Sequence, residues 1–167
     1  MMLLLGASAL AGCSSPTLSV VSAELIESSD EGSVVAFTID AANPGADALP
    51  TRYVAYSAQA GGLAFTSGER SGEATLRASG SQQLVIPASF PGRVNVGDSA
   101  SINGWLGYTQ PGPLAAEAFD LGIYRPSVGF SGSATVEEPK PTPRRIRTTP
   151  VLTKPKDEAK AGEAAPK

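Results

Sequence analysis

Residues 18–27 read LSVVSAELIE, and residues 34–40 read VVAFTID. Apolar residues are separated by polar ones in both stretches, with double apolar steps such as Val20-Val21 and Ala36-Phe37, and this approximate period of two is typical of strands that bury one face. The acidic turn Asp30-Glu31-Gly32 lies between them, and a glycine-containing turn between two alternating runs favours a β-hairpin. The two stretches therefore predict that the folded part of the chain begins with a pair of antiparallel strands.

The same alternation continues along the chain in short runs separated by turn residues, among them Gly61-Gly62. Turn residues recur roughly every eight to twelve positions, which is typical of an all-β sandwich or barrel. Only residues 113–120 have a helix-favouring composition, and they predict either one helical turn or the entry to a strand. The further strands are expected at Arg52–Gln59, Leu63–Ser67, Glu73–Ala78, Gln82–Phe90, Ser101–Thr109, Ala116–Tyr124 and Ser127–Val136.

The dipeptide Asn43-Pro44 marks the end of the second strand. Proline has no N–H to give to a strand ladder, and it restricts the preceding residue to an extended conformation. The side chain of Asn43 can also bond to main-chain groups of the turn. We interpret the dipeptide as turn chemistry that ends a strand, with a role in recognition as the alternative.

The composition argues against most enzyme classes. Of 167 residues, 41% are hydrophobic, which is enough for one core, and 18 glycines and 14 prolines suit many short strands joined by turns. One cysteine and no histidine leave no internal disulfide, no Ser–His or Cys–His pair and no histidine-containing metal site. The net charge of −3 provides no basic field for nucleic acid. We therefore expect a non-enzymatic protein with no catalytic residues, no cofactor and no metal.

Charge and proline content divide the chain at residue 137. Residues 14–136 hold five arginines and eleven acids, whereas residues 137–167 hold eight basic residues, five acids and six prolines. A segment with so few large apolar side chains cannot bury enough surface to offset its loss of conformational entropy. We therefore expect one domain over residues 18–136 and a disordered, Pro/Lys-rich tail over residues 137–167. The basic run Arg144-Arg145-Ile146-Arg147 could contact anionic lipids or cell-wall polymers, or remain a solvated linker.

The first sixteen residues have the pattern of a secretion signal. Residues 2–11 form an apolar run that is shorter than the ~20 residues of a membrane-spanning helix but suits a signal-peptide core. Leu10-Ala11-Gly12-Cys13 resembles the lipobox of bacterial lipoproteins, in which a peptidase cuts before the cysteine and its thiol carries a diacylglycerol. The resemblance implies a signal peptide over residues 1–12 and a lipidated Cys13 with a short linker over residues 13–17. Because Ser14 rather than an acid follows Cys13, the expected location is the cell envelope, lipid-anchored at the periplasmic face of the outer membrane.

A series of short motifs follows in the mature domain, from Leu18 to Val136. Its members are Asn43-Pro44, Leu49-Pro50, Tyr56, Gly61-Gly62, Phe65-Thr66-Ser67-Gly68, Leu76 to Ser81 leading into Leu84 to Pro87, and Val128 to Gly132. In this order and spacing they resemble the late embryogenesis abundant group 2 proteins, whose domain is also called WHy (water stress and hypersensitive response). The family usually has a further polar residue after Asn-Pro, and Gly45 stands there in this chain.

The resemblance implies an immunoglobulin-like or fibronectin-like β-sandwich, for which we expect about seven or eight antiparallel strands. It also implies a non-enzymatic role in tolerance of desiccation and other water stress, with no catalytic residues to transfer. The matched residues expected to be structural are Asn43, Pro44, Leu49, Pro50, Tyr56 and Gly68. The alternative function is an envelope binding or assembly module, in which the sandwich and the basic tail engage an envelope protein or a cell-wall polymer.

Aromatic and acidic side chains are the remaining candidates for a site. Asp30-Glu31, and Asp40 with Asp47, lie in or beside turns, so we interpret them as solvated acids rather than catalytic or calcium-binding pairs. Alternation with polar residues favours core packing of the aromatic side chains over a ligand groove, and Trp105 is the best candidate for a buried anchor. The aromatic residues in question are Tyr53, Tyr56, Trp105 and Tyr108.

Overall fold

The computed structural model describes residues 15–72 and 74–139. Strands occupy most of this part of the chain, and the prediction of an all-β protein is confirmed. The predicted signal peptide, Cys13 and residues 140–167 of the predicted tail lie outside the described residues. In chain order the elements are β1 (Thr17–Ser28), β2 (Gly32–Asn43), β3 (Leu49–Ala60), β4 (Thr66–Ser71), β5 (Thr75–Leu76), β6 (Gly80–Pro91), β7 (Ser99–Tyr108), α1 (Ala115–Asp120) and β8 (Ser127–Glu137).

The strands form one hydrogen-bonded path in the order β4-β3-β7-β8-β1-β2-β6, and β5 pairs with the first residues of β3. β1 and β2 form the predicted antiparallel hairpin, in which Thr17 lies opposite Ala42. β1 and β8 run parallel, with Ala23 opposite Val136. The expectation of antiparallel strands throughout is therefore wrong for this pair. A parallel pair needs a long crossover, and here almost the whole domain connects the two strands.

The path folds over on itself, so that two layers enclose one core. One layer contains β6, β2 and β1, the other contains β4, β3, β7 and β8, and the parallel pair β1–β8 joins them. Alternate side chains point inward, as in β2, where Val35, Phe37 and Ile39 are at most 1% exposed. From the facing layer, Ile102 and Leu106 of β7 join the same cluster. Burial of alternate apolar side chains from both layers is the main stabilising contribution.

The strand directions place particular segments at each end of the sandwich. Because β1 and β8 run parallel, Thr17 and Ser127 begin these strands at the same end. β7 finishes at this end too, since its last residue, Tyr108, pairs with Thr51 near the start of β3. We call this end the N-terminal pole, and it carries the start of β1 with the connections 44–48 and 109–126. The opposite pole carries the β1–β2 turn at 29–31 and the connection 92–98.

Most predicted strands agree with the observed ones to within three residues at either end; the one expected at Glu73–Ala78 is shorter and comprises Thr75–Leu76. The strand expected at Leu63–Ser67 is shifted along the chain and observed at Thr66–Ser71. The strand expected at Ala116–Tyr124 is wrong, because α1 occupies Ala115–Asp120, and the alternative of a helical turn within residues 113–120 is confirmed. Its sequence AAEAFD contains helix formers and no β-branched residue, and it buries only Phe119.

Candidate functional site

The side-chain amide of Asn43 organises the N-terminal pole at the end of β2. Nδ2 donates hydrogen bonds to the carbonyl oxygen of Asp47 at 2.8 Å and to that of Leu76 at 3.3 Å. Oδ1 accepts a hydrogen bond from the N–H of Gly45 at 3.0 Å. Asn43 is 1% exposed, so these partners satisfy an amide that is shielded from water. The amide closes the turn around the exposed Pro44 and ties that turn to β5.

β3 begins at the same pole with Leu49 and Pro50, which contact β5 and the 109–126 connection. Leu49 is buried and pairs with Leu76 of β5. The carbonyl oxygen of Pro50 accepts a hydrogen bond from the N–H of Thr109 at 2.9 Å, where β7 leads into the 109–126 connection. These contacts are structural, because each joins main-chain segments that meet at the pole.

Tyr56 connects the two layers at the side of the sandwich opposite the β1–β8 pair. Its side chain shares the inward face of β3 with Val54 and packs against the core. Its hydroxyl donates a hydrogen bond to the carbonyl oxygen of Pro87 on β6, 3.1 Å away. Gly68 lies opposite Tyr56 on β4, and a Cβ at Gly68 would come within 2.8 Å of the Tyr56 hydroxyl oxygen. The ring of Tyr56 therefore occupies space that a glycine leaves open.

An open cleft of about 400 Å³ lies beside this connection, between β4 and β6. Its floor is apolar and includes Val54, Ile86 and Leu106, and its rim carries polar groups, including those of Arg70 and Gln83. The two strands that border it are the ends of the hydrogen-bonded path. The cleft can accept an extended apolar group or a peptide segment, since a pocket of this kind binds by apolar contact and by main-chain hydrogen bonds along an exposed edge.

The four aromatic residues singled out in the sequence do not line one groove. Tyr108 is 5% exposed and joins the core, whereas Tyr53 packs its ring against Phe119 with centroids 6.2 Å apart. Trp105 is 59% exposed, so the expectation of a buried anchor is wrong. It occupies the outward position between Gly104 and the buried Leu106, and its ring covers Gly129 of β8, where an added Cβ would lie 3.2 Å from Cζ3. The tryptophan borders a second open groove of about 450 Å³ with Leu18 and Phe130.

The 109–126 connection forms a separate cluster that the sequence did not single out as a site. Phe119 of α1 is 7% exposed and lies between the guanidinium groups of Arg52 and Arg125, at 5.2 and 5.6 Å from its ring centroid. Arg52 also forms an ion pair with Asp120, and Nε of Arg125 donates a hydrogen bond to the carbonyl oxygen of Phe119 at 2.8 Å. These contacts fix α1 on the start of β3. The helix-favouring composition of residues 113–120 was the available signal for this helix.

The acidic residues singled out in the sequence lie in different elements of the described part of the chain. Asp30 forms an ion pair with Arg93 at 2.9 Å, across the opposite pole. Asp40 lies within β2, and Asp47 lies in the turn closed by Asn43. Within residues 15–72 and 74–139, no group of three or more acids, cysteines or histidines is arranged to hold a metal ion.

The predicted lipidation site falls outside the described residues. The described residues begin at Ser15, after all four residues of the predicted motif: Leu10, Ala11, Gly12 and Cys13. Pro16, three residues after Cys13, is fully buried, so the described chain is fixed to the sandwich from that residue onward. Among the described helices, none has the length and apolar character needed to cross a bilayer.

The fold defines the class of this protein as an all-β domain, in which one hydrogen-bonded path of strands surrounds a core and leaves a lateral cleft. Within that class it is similar to the solution structure of a candidate late embryogenesis abundant (LEA) protein, with a TM-score of 0.53 at 14% identity. The similarity covers 78% of this chain and 76% of the other. At this identity the likeness establishes a LEA-like fold. No family model matches the sequence, and no match was found among curated proteins.

Proposed function

We propose that the protein is a membrane-anchored, non-enzymatic lipoprotein of the LEA group 2 (WHy) type, which contributes to tolerance of desiccation and water stress. The observation that carries this proposal is the LEA-like fold, shared over about three quarters of both chains. The ordered motifs of the sequence support it, because Asn43, Leu49 and Tyr56 each connect separate segments of that fold.

Residues 10–13 support the membrane anchor, since Leu-Ala-Gly-Cys follows a short apolar run. In such a lipoprotein the acyl chains attach at Cys13, and only Ser14 and Ser15 separate that residue from the buried Pro16. Several acyl chains hold a protein firmly, because each buried CH₂ contributes about 0.8 kcal/mol. The proposed location is the periplasmic face of the outer membrane, where such a domain would meet other envelope components.

The side-chain inventory supports a non-enzymatic role. The chain has no histidine, so no imidazole general base is available to a serine or cysteine. In the described part of the chain, the strongest polar clusters make structural contacts: Asn43 with main-chain groups, Arg52 with Asp120, and Arg93 with Asp30. The protein would therefore act through its surface, by contact with macromolecules during water loss.

The anchor is tested by metabolic labelling with a palmitate analogue in cells that express the wild-type chain or Cys13→Ala. The expected result is label and an acyl mass on the wild-type mature N-terminus and neither on the variant. A wild-type protein that is released without an acyl mass contradicts the anchor.

The stress role is tested by survival after drying and after osmotic shock. We expect deletion of the gene to lower survival and the wild-type gene to restore it, with Cys13→Ala restoring less. Unchanged survival of the deletion strain would remove support for the stress role while leaving the labelling result intact.

A second candidate function, an envelope binding or assembly module, is favoured by the cleft between β4 and β6. Its apolar floor lies between two strand edges, an arrangement that suits an extended segment of a partner protein. Cross-linking from the rim residue Arg70, replaced by a photoreactive amino acid, would recover one defined envelope protein in this case. Loss of that product on deletion of residues 137–167 would show that the tail takes part.

A further inference from the structure

The 109–126 connection exposes four large apolar side chains at the N-terminal pole. Leu114 is 71% exposed, Leu121 and Ile123 are each 75% exposed, and Tyr124 is 52% exposed. Single exposed apolar residues are ordinary on a protein surface, but four within eleven residues form a local concentration that suits an interaction site. We call these four residues the apolar tip.

The fold holds the apolar tip in place rather than leaving it as a loose loop. Phe119 packs against Tyr53 on the outer face of β3, whereas Leu114 and Leu121, the N-cap and C-cap residues of α1, are exposed. The N–H of Leu121 bonds to the carbonyl oxygen of Glu117 at 2.9 Å, and the N–H groups of Ile123 and Tyr124 bond to that of Ala118. The exposure of the tip is therefore a consequence of how α1 docks through Phe119.

The proposed anchor lies at the same pole as the apolar tip. β1 and β8 run parallel, so the chain enters β1 at the end where the 109–126 connection enters β8. The three residue steps from Cys13 to the buried Pro16 span at most about 11 Å when extended. A bilayer that holds acyl chains on Cys13 would therefore lie close to this end of the sandwich, since the tether is too short to let it swing away.

The opposite pole is more acidic than the N-terminal pole. A bilayer next to the N-terminal pole requires this difference, because bilayers of this kind are anionic. The opposite pole carries six carboxylates and a single arginine, Arg93; the acids are Glu27, Asp30, Glu31, Asp98, Glu137 and Glu138. Among the described residues of the N-terminal pole, three arginines (Arg52, Arg77, Arg125) lie with four acids (Asp40, Asp47, Glu117, Asp120), so this pole is close to neutral. An anionic bilayer surface repels the strongly acidic pole more than the nearly neutral one.

We propose that the apolar tip docks into the interfacial region of the bilayer that holds Cys13, with Leu114, Leu121 and Ile123 among the acyl chains and Tyr124 at headgroup level. This inference rests on the proposed lipid anchor and adds a second contact that fixes the orientation of the domain. The strands then stand away from the membrane, and the acidic pole faces the aqueous side.

The test uses the acylated full chain in vesicles of phosphatidylethanolamine and phosphatidylglycerol. Because Cys13 is the chain's one cysteine and acylation occupies its thiol, an introduced cysteine can be labelled alone. Leu121→Cys reports on the tip, and Glu31→Cys, in the turn of the opposite pole, is the matched control; both carry an environment-sensitive nitrobenzoxadiazole dye. Mass spectrometry of the same samples measures acylation of Cys13.

We expect the dye at position 121 to emit at shorter wavelength and to be quenched by doxyl-labelled lipids, and the dye at position 31 to do neither. Replacing Leu114 and Ile123 with serine in the Leu121→Cys background should reduce the quenching without unfolding the sandwich, since both side chains are exposed.

With the acyl mass present, equal and water-like emission at both positions would overturn the docking while leaving the anchor standing. A blue shift that doxyl lipids do not quench would show that another copy or another protein covers the tip, which also overturns it. A chain without the acyl mass would overturn the anchor and the docking together.

Discussion

The hydroxyl of Tyr56 on β3 donates a hydrogen bond to the carbonyl oxygen of Pro87 on β6. These strands belong to different layers, and the contact lies on the side of the sandwich away from the β1–β8 pair. The bond therefore holds the layers together beside the cleft, at a place where strand pairing does not.

Tyr56→Phe should lower the free energy of unfolding by about 0.5–1 kcal/mol, because it removes one hydrogen bond at a partly exposed site and keeps the ring. Urea unfolding measures the change. Tyr53→Phe is the matched control, since Tyr53 lies on the outer face of the same strand against Phe119. Equal losses in the two variants would show that the Tyr56 hydroxyl contributes nothing specific.

Gly68→Ala should destabilise the sandwich by about 1–3 kcal/mol, because the new methyl group overlaps the Tyr56 ring. The added Cβ would lie 2.8 Å from the hydroxyl oxygen and 3.0 Å from Cζ. In a double-mutant cycle, Tyr56→Leu should relieve much of the cost of Gly68→Ala, since it removes the overlapping atoms. Gly80→Ala is the control, because its Cβ would meet Arg77 at an ordinary 3.5 Å. Additive losses in the cycle would contradict the proposed overlap.

Asn43→Ala should cost about 1–3 kcal/mol, since it leaves the buried carbonyl group of Leu76, and the partly buried carbonyl of Asp47 and N–H of Gly45, without their side-chain partner. Asn43→Asp should not recover the loss at neutral pH, because a carboxylate cannot donate to the carbonyl oxygens of Asp47 and Leu76. Thermal unfolding measures both variants, with the exposed Asn103→Ala as the control. Full stability of Asn43→Asp would show that the donated bonds contribute little.

Phe119→Ala should cost about 2–4 kcal/mol, because it removes the one buried ring that docks α1. Asp120→Asn should cost less than about 1 kcal/mol and become neutral in high salt, since the Arg52–Asp120 pair is 35% and 62% exposed. Hydrogen exchange should show faster exchange at residues 115–124 in the first variant and little change in the second. Similar exchange in both would mean that the ring does not hold the segment.

Alternation in the sequence identified the strands but not which face of some strands turns inward. In β7 the neighbours Trp105 and Leu106 are both apolar, so the pattern allowed either to be buried. The structure buries Leu106 with Ile102 and leaves Trp105 outside, over Gly129 of the adjacent strand. Which of the two side chains is buried depends on the neighbouring strand β8, more than twenty positions away in the sequence. Local periodicity therefore cannot predict it.

The cleft and the apolar tip also depend on contacts between segments that are far apart in the sequence, so local periodicity does not predict them. Val54, Ile86 and Leu106 form one floor only because the layers fold over each other. Residues 116–124 were predicted to be a strand, with a helical turn over 113–120 as an alternative, yet Leu121, Ile123 and Tyr124 are exposed beside a helix that Phe119 fixes to β3. Turn chemistry is more local, and the turn-closing bonds of Asn43 followed from its position beside Pro44.

The parallel alignment of β1 with β8 also sets how the domain would carry tension. The chain enters the sandwich at Thr17 and leaves it past Glu137, at the opposite end. If the first end is held and the second is pulled, the force runs along both strands. The main-chain bonds from β1 to β2 and from β8 to β7 lie across that direction, so they resist together in shear instead of opening one after another.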